Sequence, residues 1–290
     1  MVGLLRWLAR WPLGWLHQWG AAAGWIAYAF SSTYRRRFAE NAAQAGLDRA
    51  TMRPAIAEAG RALLELPLLW MRPVAQPILP LVRWEGEALI LAALRERRGV
   101  VMLTPHMGSF EVTAQACAER FADVSGPITV LYRPARKAVL RAVMDESRAR
   151  PGVATAPATL AGVRQMIRAL RRGEVVGLLP DQVPPAGMGV WAPFFGRPAY
   201  TMTLAARLVQ QTGAVPLLIW GERLARGAGY VVRVSAFDEA LPAAAGDEST
   251  QAESAAVINR AMERLIRQCP GQYLWGYNRY KTPRSNEPAA

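Results

Sequence analysis

Five short runs of this 290-residue chain, at 100–104, 128–132, 175–179, 215–220 and 230–235, are rich in Val, Ile and Leu, and several carry almost no polar residue. A strand with one wet face alternates apolar and polar side chains, so runs that lack the alternation predict strands covered on both faces. Between them apolar residues recur at helical spacing through 55–70, 87–95, 111–121, 137–147 and 159–172, with further helices at 201–212 and 253–268. Strands and helices taken in turn predict an α/β fold, a mixed sheet flanked by helices. Residues 241–250 read as a small-residue surface loop, and there is no internal repeat, sustained heptad or interdomain linker. The length allows one or two domains, and the missing linker favours one.

The N-terminal stretch stands apart. Residues 1–37 contain no acid, while Arg6, Arg10 and the run Arg35, Arg36, Arg37 bracket an uncharged stretch at 11–34. Trp7, Trp11, Trp15 and Trp19 recur every four residues, which places them on one broad helix face with Arg6, Arg10 and His17 opposite. That pattern predicts a helix lying in a membrane interface, indoles at headgroup depth and arginines meeting lipid phosphates. Residues 13–30 are also long enough to be weighed as a short span. Five tryptophans, Pro12 and His17 interrupt the run, unlike a cleaved secretory leader. The economical division is an N-terminal membrane anchor or interfacial helix at 1–34 and a globular domain at 35–290.

With 52% hydrophobic and 20% charged residues and a mean hydropathy of +0.05, the chain is too apolar for disorder and high for a freely soluble protein. Its net charge of +13 rests on arginine, since Lys137 and Lys281 are the only lysines. Such a charge implies an anionic partner: nucleic acid, anionic lipid headgroups, or an acidic protein or phosphorylated substrate. Nucleic acid is the weakest of these, because there is no aromatic-basic RNA motif or helix-turn-helix pattern. Cys117 and Cys269 form no C-x-x-C and have no neighbouring histidine, so no disulfide framework or zinc site is expected.

There are two histidines, and His17 belongs to the tryptophan-striped segment, so an imidazole base in the globular part must be His106. Residues 100–105 read as a buried strand closed by Pro105, which puts His106 at a strand end, where ligands bind in open α/β sheets. Gly108 and Ser109 then resemble a turn and helix cap, and Glu111 in the first helical turn is placed to fold back and hold a ring nitrogen. Nearby helix-start N–H groups are candidates to face a developing oxyanion. No G-x-S-x-G, H-E-x-x-H, G-x-x-x-x-G-K or G-x-G-x-x-G after a strand is present. What remains is a base without a protein nucleophile, suited to direct transfer onto a substrate hydroxyl.

His106, Met107, Gly108, Ser109, Phe110 and Glu111 match the H-x4-D/E block of glycerolipid-type acyltransferases, and the whole chain resembles the late lipid A biosynthesis acyltransferases of Gram-negative bacteria. Tyr132, Arg133 and Pro134 are similar to the second block of that family. Asp181 and Gln182, followed by the stretch from Gly189 to Phe194, Phe195 and Gly196, resemble the third. Tyr273 and Trp275 with Arg279 and Lys281 resemble the C-terminal one. The chain departs where many members carry Asn-Trp, having Ser109 and Phe110, and where they carry His-Arg after the last tryptophan, having Tyr277 and Asn278.

The resemblance implies a glycerolipid-acyltransferase-like sheet with a membrane-associated N-terminal helix. It implies transfer of a fatty acyl group from an acyl-carrier-protein thioester to a hydroxyl of a phosphorylated lipid A precursor. The place would be the cytoplasmic face of the inner membrane, with anionic lipids as partners and no metal or organic cofactor. His106 and Glu111 would be the catalytic dyad, and Arg133 would hold an anionic or oxyanionic group. Asp181 would position Arg133 or substrate hydroxyls, or cap its loop. Gln182 and Arg279 would join the substrate site, and Phe194, Phe195 and Gly196 would form an acyl-chain wall or a packed aromatic turn. Arg164, Arg168, Arg171 and Arg172 form a basic stripe on the 159–172 helix, a candidate dock for an acidic carrier protein. The same motifs suit a lysophospholipid, glycolipid or aminolipid acceptor, and a non-catalytic anionic-lipid-binding protein is the rival from another class.

Overall fold

The computed structural model describes residues 2–132, 150–244 and 246–284. Arg133 and the helix expected at 137–147 lie outside the described residues. The described elements run α1 (Val2–Leu8), α2 (Leu13–Phe30), α3 (Ser32–Gln44), α4 (Arg49–Leu64), α5 (Leu66–Met71), β1 (Val82–Glu85), α6 (Glu87–Arg95), β2 (Val100–Leu103), α7 (Phe110–Ser125), β3 (Ile128–Tyr132) and β4 (Val153–Pro157). They continue with α8 (Leu160–Arg171), β5 (Val175–Leu178), β6 (Gly189–Phe194), β7 (Arg197–Met202), α9 (Leu204–Thr212), β8 (Val215–Arg223), β9 (Tyr230–Ala236) and α10 (Glu248–Gln268).

Seven strands form one sheet in the order β1-β9-β8-β2-β5-β3-β4, parallel throughout except for the antiparallel β8–β9 pair. Strand β2, apolar at every position, is buried at every position. Its Val101 and Leu103 join a core with α4, α8, α9 and α10, while Val100 and Met102 pack with α6 and α7 on the other face. The five runs rich in Val, Ile and Leu are thus the five central strands of a sheet covered on both sides. A separate hairpin of β6 and β7 packs on α10.

The N-terminal segment is two helices rather than one. Pro12 has no N–H to donate and clashes with a preceding helical turn, so the chain breaks there and Pro12 becomes the cap residue of α2. Trp7 lies on α1, Trp15 and Trp19 lie on α2, and Trp11 in the link makes edge contacts to Trp7 and Trp15 at 4.6 and 6.3 Å. One face of α2 is buried through Leu13, Leu16, His17, Gly20 and Gly24. It crosses α4 backbone to backbone: a Cβ on Gly60 would run into the Gly20 carbonyl, and one on Gly24 into the Ile56 carbonyl. His17 is therefore not on an outer polar face with Arg6 and Arg10. The outer face carries Trp15, Trp19, Ile26 and Phe30, with Phe30 87% exposed. Among the described residues no helix is long and apolar enough to cross a membrane.

Candidate active site

Strands β2 and β5 lie side by side and parallel, with Leu103 opposite Leu178. His106 and Asp181 each follow three residues beyond those partners, so both emerge at the carboxyl edge of the sheet. The Asp181 carboxylate accepts two hydrogen bonds from His106, one from Nδ1 at 2.6 Å and one from the backbone N–H at 2.9 Å. Its side chain is 2% exposed and that of His106 18%. Burial acts to raise the Asp181 carboxyl, but the charge and hydrogen bonds of His106 and the charge of Arg279 outweigh it and hold it below its ordinary value. An ionised carboxylate only accepts, so the shared proton sits on Nδ1, and in the neutral form of the ring the lone pair falls on Nε2. Tyr273, buried beside this carboxylate, has its hydroxyl pushed well above the ordinary range, first by burial and then by the Asp181 charge.

The ring partner expected at Glu111 is thus supplied by Asp181. Glu111 stands half-buried in the first turn of α7, where the helix dipole favours a carboxylate, and forms no hydrogen bond or ion pair among the described residues. Phe110 packs edge-on against the imidazole at 5.0 Å.

The loop carrying His106 is held on three sides. Ser109 N–H donates to the Gly221 carbonyl of β8 at 2.7 Å, Gly108 N–H to the Gln272 carbonyl at 2.9 Å, and Leu274 N–H to the His106 carbonyl at 3.1 Å. Gly108 has φ +54 and rests against the Gly221 carbonyl, a place no side chain fits. With the His106 N–H bond to Asp181, these bonds consume the N–H groups of residues 106, 108 and 109. Beneath the loop, the Arg223 guanidinium donates to the Gly108 carbonyl at 2.8 Å, to both oxygens of Glu65 and to Glu58. His17 Nε2 lies 3.1 Å from Glu65, and the Tyr230 hydroxyl donates to the same carboxylate. Burial raises the Glu65 carboxyl, yet the charge and hydrogen bonds of Arg223, with His17, hold it down to about 2. This network escaped the sequence reading. Its one signal was Glu65 itself, a lone acid in the apolar run 62–71, which must find a partner if buried.

The other expected site residues divide. Phe194 and Phe195 are buried, and Phe195 and Gly196, at φ +46 and +75, form the two-residue turn between β6 and β7. Phe195 N–H donates to Glu263 at 2.7 Å, and Arg267 and Trp275 cover its ring. That is the packed aromatic turn. Arg279 is buried too, donating to the Tyr200 carbonyl and the Thr201 hydroxyl, both at 2.7 Å, and lying over the Phe194 ring. It locks β7 to the C-terminal segment and contributes charge to Asp181, and has no open face for a substrate. Gln182, half-buried, follows Asp181 in the loop. On α8, Arg164, Arg168 and Arg171 are exposed, whereas Arg172 is bonded to Glu174 at 2.6 and 2.9 Å.

Both cysteines are free, and burial pushes the Cys117 thiol up to about 12 and that of Cys269 to about 11, so neither is a ready nucleophile. Among the described residues no group of three or more His, Cys, Asp or Glu side chains is placed to hold a metal ion. An imidazole held by a carboxylate at the carboxyl edge of an α/β sheet is an arrangement able to accept a proton. The family model described as "Bacterial lipid A biosynthesis acyltransferase" matches residues 1–282, and the chain belongs to that family. The chain is 28% identical to the lipid A biosynthesis palmitoleoyltransferase of Escherichia coli K12 over 77% of its length and 69% of that protein. It is 26% identical to the lauroyltransferase of the same organism over 79% and 71%. A lipid A biosynthesis acyltransferase of Haemophilus influenzae is 24% identical over 77% and 68%. The protein is an acyltransferase of the lipid A biosynthesis type.

Proposed function

We propose that the protein moves a fatty acyl group from an acyl-carrier-protein thioester to a hydroxyl of a phosphorylated lipid A precursor, at the cytoplasmic face of the inner membrane. The observation that carries the mechanism is the Nδ1 contact of His106 with Asp181, which leaves Nε2 as the free base. His106 Nε2 takes the proton of the acceptor hydroxyl as its oxygen attacks the thioester carbonyl, and Asp181 stabilises the imidazolium that forms. The tetrahedral intermediate collapses with cleavage of the C–S bond, and the imidazolium returns its proton to the leaving thiolate. No covalent enzyme intermediate, metal or organic cofactor enters this sequence. The exposed Arg164, Arg168 and Arg171 on α8, with no ion pair among the described residues, present a basic face that suits an acidic carrier protein. Membrane engagement is supported by the tryptophans on the outer face of α2.

The test is acyl transfer by the purified chain from a set of acyl-carrier-protein thioesters to a tetra-acylated lipid A precursor, read by mass spectrometry beside His106→Ala. A gain of one acyl group that vanishes in the variant is the expected result. No gain with any donor would reject the lipid A acceptor, and equal activity in the variant would overturn the base.

A further inference from the structure

A cleft of about 370 Å³ opens between α3 and the C-terminal segment, lined by Arg37 on one side and by Tyr277, Asn278, Lys281 and Arg284 on the other. It gathers three cations and no carboxylate among the described residues. None of the three has an ion pair there, and the Lys281 ammonium is held only over the Tyr277 ring at 4.8 Å. Several arginines elsewhere pair with acids, among them Arg72 with Glu119, Arg233 with Glu222, and Arg260 and Arg264 with Glu239. Other arginines, those of α8 included, have no ion pair among the described residues, but Arg164, Arg168 and Arg171 stand exposed on a helix rather than gathered in a cleft. Like charges confined in a concave cleft repel one another unless an anion sits between them. The Asn278 amide lines the same cleft and has no hydrogen-bond partner among the described residues.

The position of the cleft says what kind of molecule carries that anion. On its inner side, the segment that forms it runs from Leu274, which donates to the His106 carbonyl, and the Tyr277 hydroxyl accepts from the Val183 N–H two residues beyond Asp181. On its outer side, Tyr34 packs against Gly276, and α3 begins directly after the exposed Phe30. Arg35 seals that junction by donating to the Tyr28 and Ala29 carbonyls. The cleft therefore lies between an exposed apolar helix end and the catalytic loop, a place for an anion borne on an apolar body.

We propose that Arg37, Lys281 and Arg284 hold a phosphate group of the lipid acceptor and so fix which hydroxyl reaches His106. The proposal rests on the lipid A reading of the acceptor. Phosphate rather than carboxylate fits three unpaired cations because its second charge is matched. Lipid phosphate reaches such a cleft from two sources, the acceptor itself and bulk anionic phospholipid, and the acceptor is the one assigned.

The experiment is equilibrium binding to the full chain in neutral detergent micelles doped with one of three lipids: a bisphosphorylated tetra-acyl glucosamine disaccharide, its dephosphorylated form, or phosphatidylglycerol. The wild type should favour the phosphorylated disaccharide over the dephosphorylated one by at least tenfold. Lys281→Gln with Arg284→Gln should abolish that preference while leaving affinity for the dephosphorylated lipid unchanged. Arg37→Gln, on a different element, should weaken it independently, so that a folding defect in one variant does not decide the matter. Equal affinity of the wild type for the two disaccharides, or a preference that survives in all variants, overturns the proposal. Phosphatidylglycerol binding as tightly, and falling equally in the variants, overturns it in favour of bulk lipid. Acyl transfer is measured in parallel on the wild type: its absence would sink the lipid A reading, whereas the cleft stands or falls on the binding preference.

Discussion

At the scale of single residues, two carboxylates compete for one imidazole, and geometry decides between them. Asp181 reaches His106 because β2 and β5 are neighbours in register and both chains leave the sheet at the same height. Glu111 stays on α7, unbonded among the described residues. Asp181→Asn should therefore lower kcat by about 10²–10⁴-fold with the fold retained, since an amide no longer stabilises the imidazolium or fixes its tautomer. Glu111→Gln should leave the pH profile of the His106 limb unmoved. A steady-state pH series on both variants checks the pair, and a displaced limb in Glu111→Gln alone would reverse the assignment. Glu65 gives a second test, on stability. Its folded value of about 2 lies below the ordinary 4.5, so the unfolded chain binds the extra proton first as pH falls. Its contribution is complete above pH 4.5 and drains away towards pH 2, by roughly 3 kcal/mol. Urea unfolding between those limits should show a slope with pH that flattens in Glu65→Gln.

At the scale of elements, the crossing of α2 and α4 is the one most sensitive to a single atom. Gly60→Ala drives a methyl into the Gly20 carbonyl, so one of the two backbones must shift and a loss of about 2–3 kcal/mol is expected. Differential scanning calorimetry would register it as a lower Tm, and an unchanged Tm would mean the helices are not packed this closely. The central strands were legible because burial on both faces forbids polar residues, a constraint that leaves its mark in any order. The strands that were missed lacked that constraint. Val82–Glu85 is four residues at the sheet edge, Val153–Pro157 is an edge strand built of small residues, and the β6–β7 hairpin carries Pro193 and Pro198 outside the sheet. Residues 201–202 were absorbed into a helix because Thr201 and Met202 continue its apolar spacing, whereas they pair with Val190 and Gly189. The site was legible in part for the same reason. His106 and Asp181 both announce themselves as polar residues closing buried strands, but their contact depends on β2 lying beside β5, and strand order leaves no trace in local spacing. Arg279 was misplaced because a buried guanidinium and a substrate-facing one have the same signature in sequence.

At the scale of the whole molecule, the inner face of α2 is committed to the protein, while its outer face leaves Trp15, Trp19, Ile26 and Phe30 exposed. Crossing a bilayer would require α2 to give up the Gly20–Gly24–Gly60 crossing and the His17–Glu65 contact, both buried. Lying in the interface requires neither, and it sets Trp15, Trp19 and Phe30 at headgroup depth with the basic cleft of Arg37 and Lys281 beside them. Association with anionic vesicles should then have two separable parts. Replacing Trp15, Trp19 and Phe30 by Ser removes apolar contacts of about 1.5 kcal/mol each, so vesicle affinity should fall at least a hundredfold while Tm stays near that of the wild type, those side chains being mostly exposed. Raising salt should weaken binding further through screening of the arginines. The residual salt-dependent part should be the same in the triple variant as in the wild type, because the charges are untouched. Flotation with phosphatidylglycerol vesicles at two salt concentrations measures both parts. Wild-type affinity in a well-folded triple variant would mean that the tryptophan face does not enter the membrane, and the protein would have to be held there by charge alone.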